Sequence, residues 1–192
     1  MISKKNTSST FIRLANSILL SMVGTPILYY GDEIGMGDNI WLEDRDGVRT
    51  PMQWDASPNS GFSTAPSDRL DKPVIQDEVY GYPRVNVEAQ LANPDSLLNW
   101  TRSMLRLRRQ YPAFGEGTLQ FLSPENHSIL AYLREFGGET LLVLNNLSSR
   151  AQDVSLNLPG GPLLLDIIAN RQTQEDFPLH LDGYAFRWFK VT

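Results

Sequence analysis

Apolar side chains recur at Phe11, Ile12, Leu14, Ala15, Ile18, Leu19 and Met22, the three-to-four spacing of one helical face, and predict a helix over Thr10–Met22. Ser8 or Ser9 can cap its start, and Gly24 stands where a left-handed C-terminal cap belongs. Pro26-Ile27-Leu28-Tyr29-Tyr30 is a continuous apolar run closed by Gly31, the pattern of a strand buried on both faces. Much later, Asn93-Pro94-Asp95 reads as N-cap, first-turn proline and acidic first turn of a second helix through Leu97, Leu98, Met104 and Leu105. Arg106, Arg108 and Arg109 gather at its end, where the helix dipole favours cations, and Pro112 stops it.

From Phe114 the period changes to that of strands. They are predicted at Leu119–Leu122, Ile129–Glu135, Thr140–Asn145, Asp153–Leu158, Leu163–Ile168 and Ala185–Val191, with turns at Pro124-Glu125-Asn126, Gly137-Gly138 and Gly160-Gly161. Several short strands between turns suggest an antiparallel sandwich. Residues 1–113 therefore read as a piece of α/β architecture and 114–192 as a small all-β domain. One parallel-type strand between two helices cannot bury itself. Either something else supplies the rest of its sheet, or the chain is the tail of a larger protein.

Between strand and second helix lies the stretch from Gly35 to Ala92. Structureless loops beyond ~12–15 residues are uncommon in compact domains, and those that exist tend to be functional or disordered. This one is too aromatic, and too punctuated by Gly and Pro, for a disordered tether. Elaborated loops after strands are where α/β enzymes hold their substrate contacts.

Composition narrows the classes. With 41% hydrophobic and 20% charged residues, the 192-residue chain can bury a core. Its formal net charge of −5 argues against nucleic acid as a partner. No cysteine is present, so disulfides and thiolate metal sites are excluded. The longest apolar stretch, around Ile18 to Val23, is far short of a membrane span. The polar start after Lys4-Lys5 argues against a signal peptide, so a cytoplasmic location is expected and the sequons at Asn6, Asn99, Asn126 and Asn146 read as chance.

Gly24-Thr25-Pro26-Ile27-Leu28-Tyr29-Tyr30-Gly31-Asp32-Glu33-Ile34-Gly35-Met36 resembles the last barrel strand of the α-amylase superfamily of glycoside-active enzymes. Arg49-Thr50-Pro51-Met52-Gln53-Trp54-Asp55, followed by Gly61-Phe62, is similar to the signature of its α-glucosidase-type branch. Within that branch, the run Gly37 to Arg49 and the run Val85-Asn86-Val87-Glu88-Ala89-Gln90 most resemble the maltose–trehalose isomerases called trehalose synthases. Leu181 to Phe189 is similar to the closing strand of that family's C-terminal β domain.

The resemblance implies an α+β composite. It has the last strand and flanking helices of a (β/α)8 TIM barrel over 1–113, followed by an antiparallel β-sandwich over 114–192. Residues 35–92 become the eighth βα loop, on the face where active sites of this fold sit. The resemblance implies a retaining enzyme that uses a carboxylate nucleophile and a carboxylic acid/base ~5–5.5 Å apart. Both groups, and a third aspartate, come from earlier strands, so no catalytic residue is expected here and the chain alone should be inert. Maltose, trehalose and glucose are the implied sugars, with no cofactor and no metal.

What this part can contribute is binding. By the resemblance, Arg49 helps close the pocket around a terminal glucose; a guanidinium offers a rigid fork of donors to hydroxyls and carboxylates. Its bland alternative is an ion pair within the loop. Asp46 and Arg45 are substrate-binding candidates whose alternative is a salt bridge to Arg49 or Asp44. Asp32 and Glu33 leave a strand side by side, point in different directions, and read as structural. Trp41 and Trp54 could stack on sugars, but core residues of the loop are the commoner case. Asp44-Arg45-Asp46-Gly47 lacks the remaining oxygen ligands of a calcium loop. His127 and His180 have no partners at ligand spacing and read as surface residues.

Three readings stay open: the C-terminal part of a trehalose synthase-like isomerase, the tail of an exo-acting α-glucosidase or oligo-1,6-glucosidase, and a non-enzymatic carbohydrate-binding β module. The third would need an aromatic platform from Tyr132, Tyr184, Trp188 or Phe189. The first predicts exposed apolar surface on Phe11, Ile12, Ile27 and Tyr29. A separately encoded N-terminal barrel half is a further possible partner.

Overall fold

The computed structural model describes residues 4–158, 163–171 and 177–192. The predicted turn at Gly160-Gly161 lies outside the described residues. The chain divides into two compact units: residues up to Pro26 together with Ser103–Thr192, and Ile27–Arg102.

The first unit is built on a five-stranded antiparallel sheet in the order β1-β2-β3-β7-β5, with a second, two-stranded sheet of β4 and β6. The strands are β1 Thr118–Leu122, β2 Ile129–Phe136, β3 Glu139–Asn146, β4 Gln152–Val154, β5 Leu164–Asp166, β6 Leu179–Leu181 and β7 Phe186–Val191. Gly137 and Gly138 join β2 to β3 with φ of 57° and 83°. Two successive positive-φ residues make the two-residue hairpin turn that matches strand twist, and glycine adopts them without a Cβ penalty. The predicted strands at 153–158 and 163–168 are shorter than expected. β6 was not foreseen: three residues are too few for alternation to show.

Leu141 to Leu144 are all fully buried because both faces of the main sheet are covered. On one face Ala131, Leu142, Leu144 and Phe189 pack with Val154, Leu179 and Leu181 of the small sheet. Each leucine, valine or phenylalanine among them contributes about 1.5–3 kcal/mol of transfer free energy. On the other face Tyr132, Val143 and Trp188 stand in cross-strand register, and helix α1 (Lys4–Ser21) lies over them. Trp188 donates its indole N–H to Ser17 Oγ at 2.9 Å, and the Tyr132 hydroxyl shares a 2.6 Å hydrogen bond with Ser21 Oγ. Phe114, from the short helix α4 (Ala113–Glu116), packs on Trp188 with ring centroids 4.6 Å apart.

The C-terminal end of α1 is held by two arginines. Arg134 is fully buried and donates to the carbonyls of Ser21, Gly117 and Thr118 at 2.7, 2.9 and 3.0 Å. Arg108 donates to the carbonyls of Leu20 and Gly24. The last carbonyls of a helix have no partner within it and carry the negative end of its dipole, so cationic donors suit them. Arg108, one of the cations gathered at the end of its own helix, thus caps a different one.

The second unit holds little regular structure. Pro26–Tyr30 is not a strand: it forms no ladder, and Ile27 and Tyr29 are 82% and 47% exposed. The apolar run carries the right pattern, but a strand exists only through its neighbours, and none of the described residues pairs with it. The stretch 35–92 is organised by short 3₁₀ turns, among them Asp32–Ile34 at its entry and Asp46–Arg49, and by helix α2, Val87–Ala92, which was not foreseen. Helix α3 runs over Leu97–Gln110 and starts later than predicted. The chain has just left α2, so Asn93 makes a turn instead, accepting from the Asp95 amide at 3.0 Å, and Ser96 Oγ caps α3 by accepting from the Asn99 amide at 3.2 Å.

Three polar side chains hold this unit. Gln53, fully buried, donates to the carbonyls of Tyr80 and Val85. Asn86 caps α2 by accepting from the Ala89 amide at 2.8 Å and donates to the Tyr82 carbonyl at 2.8 Å. Gln90 donates to the Ile34 carbonyl at 2.7 Å and accepts from the Leu98 amide at 3.0 Å. Gln53 thus ties the Arg49–Asp55 run to the Val85–Gln90 run, whose Val87 and Glu88 amides return hydrogen bonds to the Gln53 and Trp54 carbonyls at 3.0 and 2.9 Å, beside a small core of Ile34, Met52 and Leu98.

Candidate functional site

Within the second unit an open cleft of about 410 Å³ is lined by Tyr30, Glu33, Arg49, Trp54, Phe62 and Lys72, among others. Its base is the Arg49–Trp54 run. The Tyr30 hydroxyl donates to the Thr50 carbonyl at 2.9 Å, Ser60 Oγ donates to the Met52 carbonyl at 3.1 Å, and the Trp54 amide donates to the Ser60 carbonyl at 2.9 Å. The backbone under the cleft is therefore fixed from both sides.

Arg49 ends the Asp46–Arg49 turn and is exposed in the cleft; among the described residues no carboxylate lies within ion-pair distance of it. Asp46 does not pair with Arg49. Its carboxylate binds Lys72 Nζ at 3.1 Å, and Lys72 also reaches Asp71 at 3.1 Å. Arg45 faces Asp44 at 3.6 Å with both side chains largely exposed, and it does not line the cleft. Of the three predicted residues, one lies in the cleft, one touches its wall through Lys72, and one stands apart.

Gly47 is a packing requirement of this turn. A Cβ there would sit 2.6 Å from the Asn39 carbonyl oxygen and closer still to Asp38, and the Asn39 amide donates to the Gly47 carbonyl at 3.1 Å.

Asp32 and Glu33 serve the local backbone, as expected. Asp32 accepts from the Tyr29 amide at 2.9 Å and Glu33 from the Gly31 amide at 2.8 Å. Burial, then the neighbouring Tyr29, raises the Tyr30 phenol above its ordinary value, and the Arg49 and Lys72 cations pull it back in part. Hydrogen bonding to Asp46, then to Asp71, raises the Lys72 ammonium. Hydrogen bonds from Ser57 lower the Asp55 carboxyl. Among the described residues the cleft thus offers the Arg49 and Lys72 cations, the Tyr30 phenol, the Glu33 and Asp71 carboxylates and the Trp54 and Phe62 rings, which suits binding of hydroxyl-rich ligands.

Trp41 and Trp54, expected as core of the loop, are instead 87% and 49% exposed; smaller residues and Gln53 fill that core. Lys72 and Tyr30 were missed. Tyr30 ends the apolar run, a position that signals the mouth of a strand, whereas nothing local marks Lys72. Of the four aromatics named for a β-domain platform, Tyr132, Trp188 and Phe189 are fully buried, and Tyr184 is half-buried with Phe11 edge-on at 5.5 Å. His127 and His180 are exposed, and His180 Nδ1 sits 2.8 Å from Asp153 Oδ1. Among the described residues no cluster could hold a metal ion, and no helix is long and apolar enough to cross a membrane.

Residues 2–117 match the alpha amylase catalytic domain family and 119–188 the maltogenic amylase C-terminal domain family. The chain is 50% identical over 191 residues to a trehalose synthase of Pimelobacter sp. (strain R48), covering 94% of this chain and 33% of that protein. It is equally 50% identical over 190 residues to a trehalose synthase/amylase of Mycobacterium tuberculosis (strain ATCC 25618 / H37Rv), covering 94% and 32%. An oligo-1,6-glucosidase of Heyndrickxia coagulans is 32% identical over 178 residues, covering 74% and 30%. The chain spans about a third of the length of the curated relatives it matches. The solved trehalulose synthase MutB from Pseudomonas mesoacidophila MX-45 superposes with a TM-score of 0.78 at 24% identity, over 95% of this chain and 38% of that one. That likeness shows the fold: a terminal part of a (β/α)8 barrel followed by an antiparallel β domain. The chain belongs to the alpha-amylase family.

Proposed function

We propose that the chain is the C-terminal portion of a retaining α-glucoside-active enzyme of the trehalose synthase type, isomerising maltose and trehalose by intramolecular glucosyl transfer. In this reading residues 1–113 complete the catalytic barrel and 114–192 form the C-terminal domain. Arg49 closes one side of the glucose pocket, with Asp46 and Arg45 in the same turn shaping it. The nucleophile and acid/base come from strands upstream of the part matched here.

The observation that carries this is Arg49, an exposed guanidinium free of carboxylates among the described residues, in a cleft walled by Trp54 and Phe62. Identity of 50% to the trehalose synthases, against 32% to the oligo-1,6-glucosidase, supports isomerase over hydrolase. The apolar surface expected of a barrel piece supports it too: Phe11 and Ile27 are 54% and 82% exposed, although Ile12 is half-buried. The proposed setting is cytoplasmic, with small sugars as the ligands.

The size of the polypeptide carrying the β domain in source-cell extract tests this. A band much larger than 21.7 kDa is expected. A band at that mass, with no second chain bound, would contradict it.

A further inference from the structure

Arg49 has no carboxylate within ion-pair distance among the described residues, so its place in the cleft is set by the turn that carries it. That turn, Asp46–Arg49, is short, and no side chain caps its start. Its backbone is tied by hydrogen bonds from the Asp46 amide to the Glu43 carbonyl and from the Asn39 amide to the Gly47 carbonyl, both at 3.1 Å. A side-chain tie joins it to a segment further along the chain: Lys72 Nζ stands 3.1 Å from Asp46 Oδ2.

Lys72 is placed to hold that turn. It follows the Ser67–Arg69 turn and precedes Pro73, whose ring narrows the backbone choices of the residue before it. Its side chain is 22% exposed, against 46% for Asp46 and 93% for Asp71. Asp71 is its chain neighbour and joins no second segment, so the Asp46 contact is the one that ties two parts of the unit together. The charges lining the cleft balance, with Arg49 and Lys72 facing Glu33 and Asp71. The ammonium already meets two carboxylates, which leaves it no surplus charge to draw an anionic ligand.

We propose that Lys72 is a positioning residue: through Asp46 it holds the turn so that the Arg49 guanidinium meets the substrate. This rests on the reading of Arg49 as a glucose-pocket residue. An ion pair this open to water adds little to stability. A misplacement of about 1 Å in a substrate-positioning group, by contrast, can cost on the order of a hundredfold in rate. The effect of Lys72 therefore falls on catalysis and not on folding.

Two readouts test this in the chain fused behind the first two thirds of the Pimelobacter trehalose synthase. The first needs no activity. Trypsin cuts after Arg49 and spares the Lys72–Pro73 bond, so K72M removes no cleavage site. K72M and D46N should each speed cleavage after Arg49 about fivefold, while cleavage after the exposed Arg84 stays unchanged. The second is kinetic. K72M should lower kcat/KM on maltose about tenfold, with thermal unfolding unchanged, and K72R should restore most of it. K72M combined with D46N should be no worse than K72M alone. Salt screens the pair, so raising it from about 0.05 to 0.5 M should slow the parent more than K72M. Unchanged cleavage after Arg49 in K72M, additive losses in the double variant, or full activity of K72M where R49A is impaired would overturn the proposal alone. Full activity of R49A would overturn the pocket reading, and the role of Lys72 with it.

Discussion

Trp188 on the last strand donates its indole N–H to Ser17 in the first helix, at 2.9 Å and across 171 positions. Ser17 Oγ in turn donates to Asn145 Oδ1 at 3.5 Å, and all three residues are fully buried. The first helix and the final strand are thus joined by a polar chain inside a packed interface, where an unpaired group costs more than its bond contributes.

S17A should therefore destabilise the chain. It strands the Trp188 N–H, at about 1–2 kcal/mol, which outweighs the roughly 0.5 kcal/mol that alanine gains over serine in a helix. Urea unfolding measures this, with an unchanged slope marking an unchanged denatured state.

Arg134 is a buried cation satisfied by carbonyls alone. R134M keeps much of its volume but leaves the carbonyls of Ser21, Gly117 and Thr118 unpaired, and should cost about 3 kcal/mol or more. The exposed R109M should change stability by less than about 0.5 kcal/mol. Equal losses in the two variants would contradict the capping role.

The Tyr132 phenol should make stability fall in alkali. Burial raises its pKa above the ordinary value, despite opposing hydrogen bonds from Ser21 and Asn145 and the Arg134 charge. Above about pH 10 the unfolded phenol gives up its proton while the folded one retains it. The unfolded state then binds fewer protons, so stability drops as pH rises. Between pH 9 and 11, Y132F should lose less stability than the parent in chemical unfolding. Tyr30 and Tyr111, also raised by burial, leave a residual slope.

Legibility in the sequence followed the number of residues that carry a signal. Helix α1 and strands β1, β2, β3 and β7 repeat their period often enough to read, and Gly137-Gly138 marks its turn. β6 repeats it only once. Pro26–Tyr30 has a strand's composition, yet strandness lies in partners that no run of residues encodes by itself. The motif around Arg49 pointed to the cleft, while Lys72 enters it through a tertiary pairing with Asp46 that spacing does not reveal. The two exposed tryptophans went against expectation because Gln53, a polar residue, fills the loop's core by clamping backbone.

Arg49 should matter to catalysis and not to folding. In an active enzyme containing this chain, R49A should lower kcat/KM on maltose on the order of a hundredfold, the loss of a charged donor pair. R49K should recover only part, because an ammonium lacks the planar fork. Thermal unfolding of both variants should match the parent.

The most direct measurement is trehalose formed from maltose when this chain is fused behind the first two thirds of the Pimelobacter trehalose synthase, followed by 1H NMR. Trehalose should appear with the fusion, fall with R49A, and be absent with the 192-residue chain alone. Trehalose from the chain alone, or a folded fusion that releases only glucose, would contradict the account.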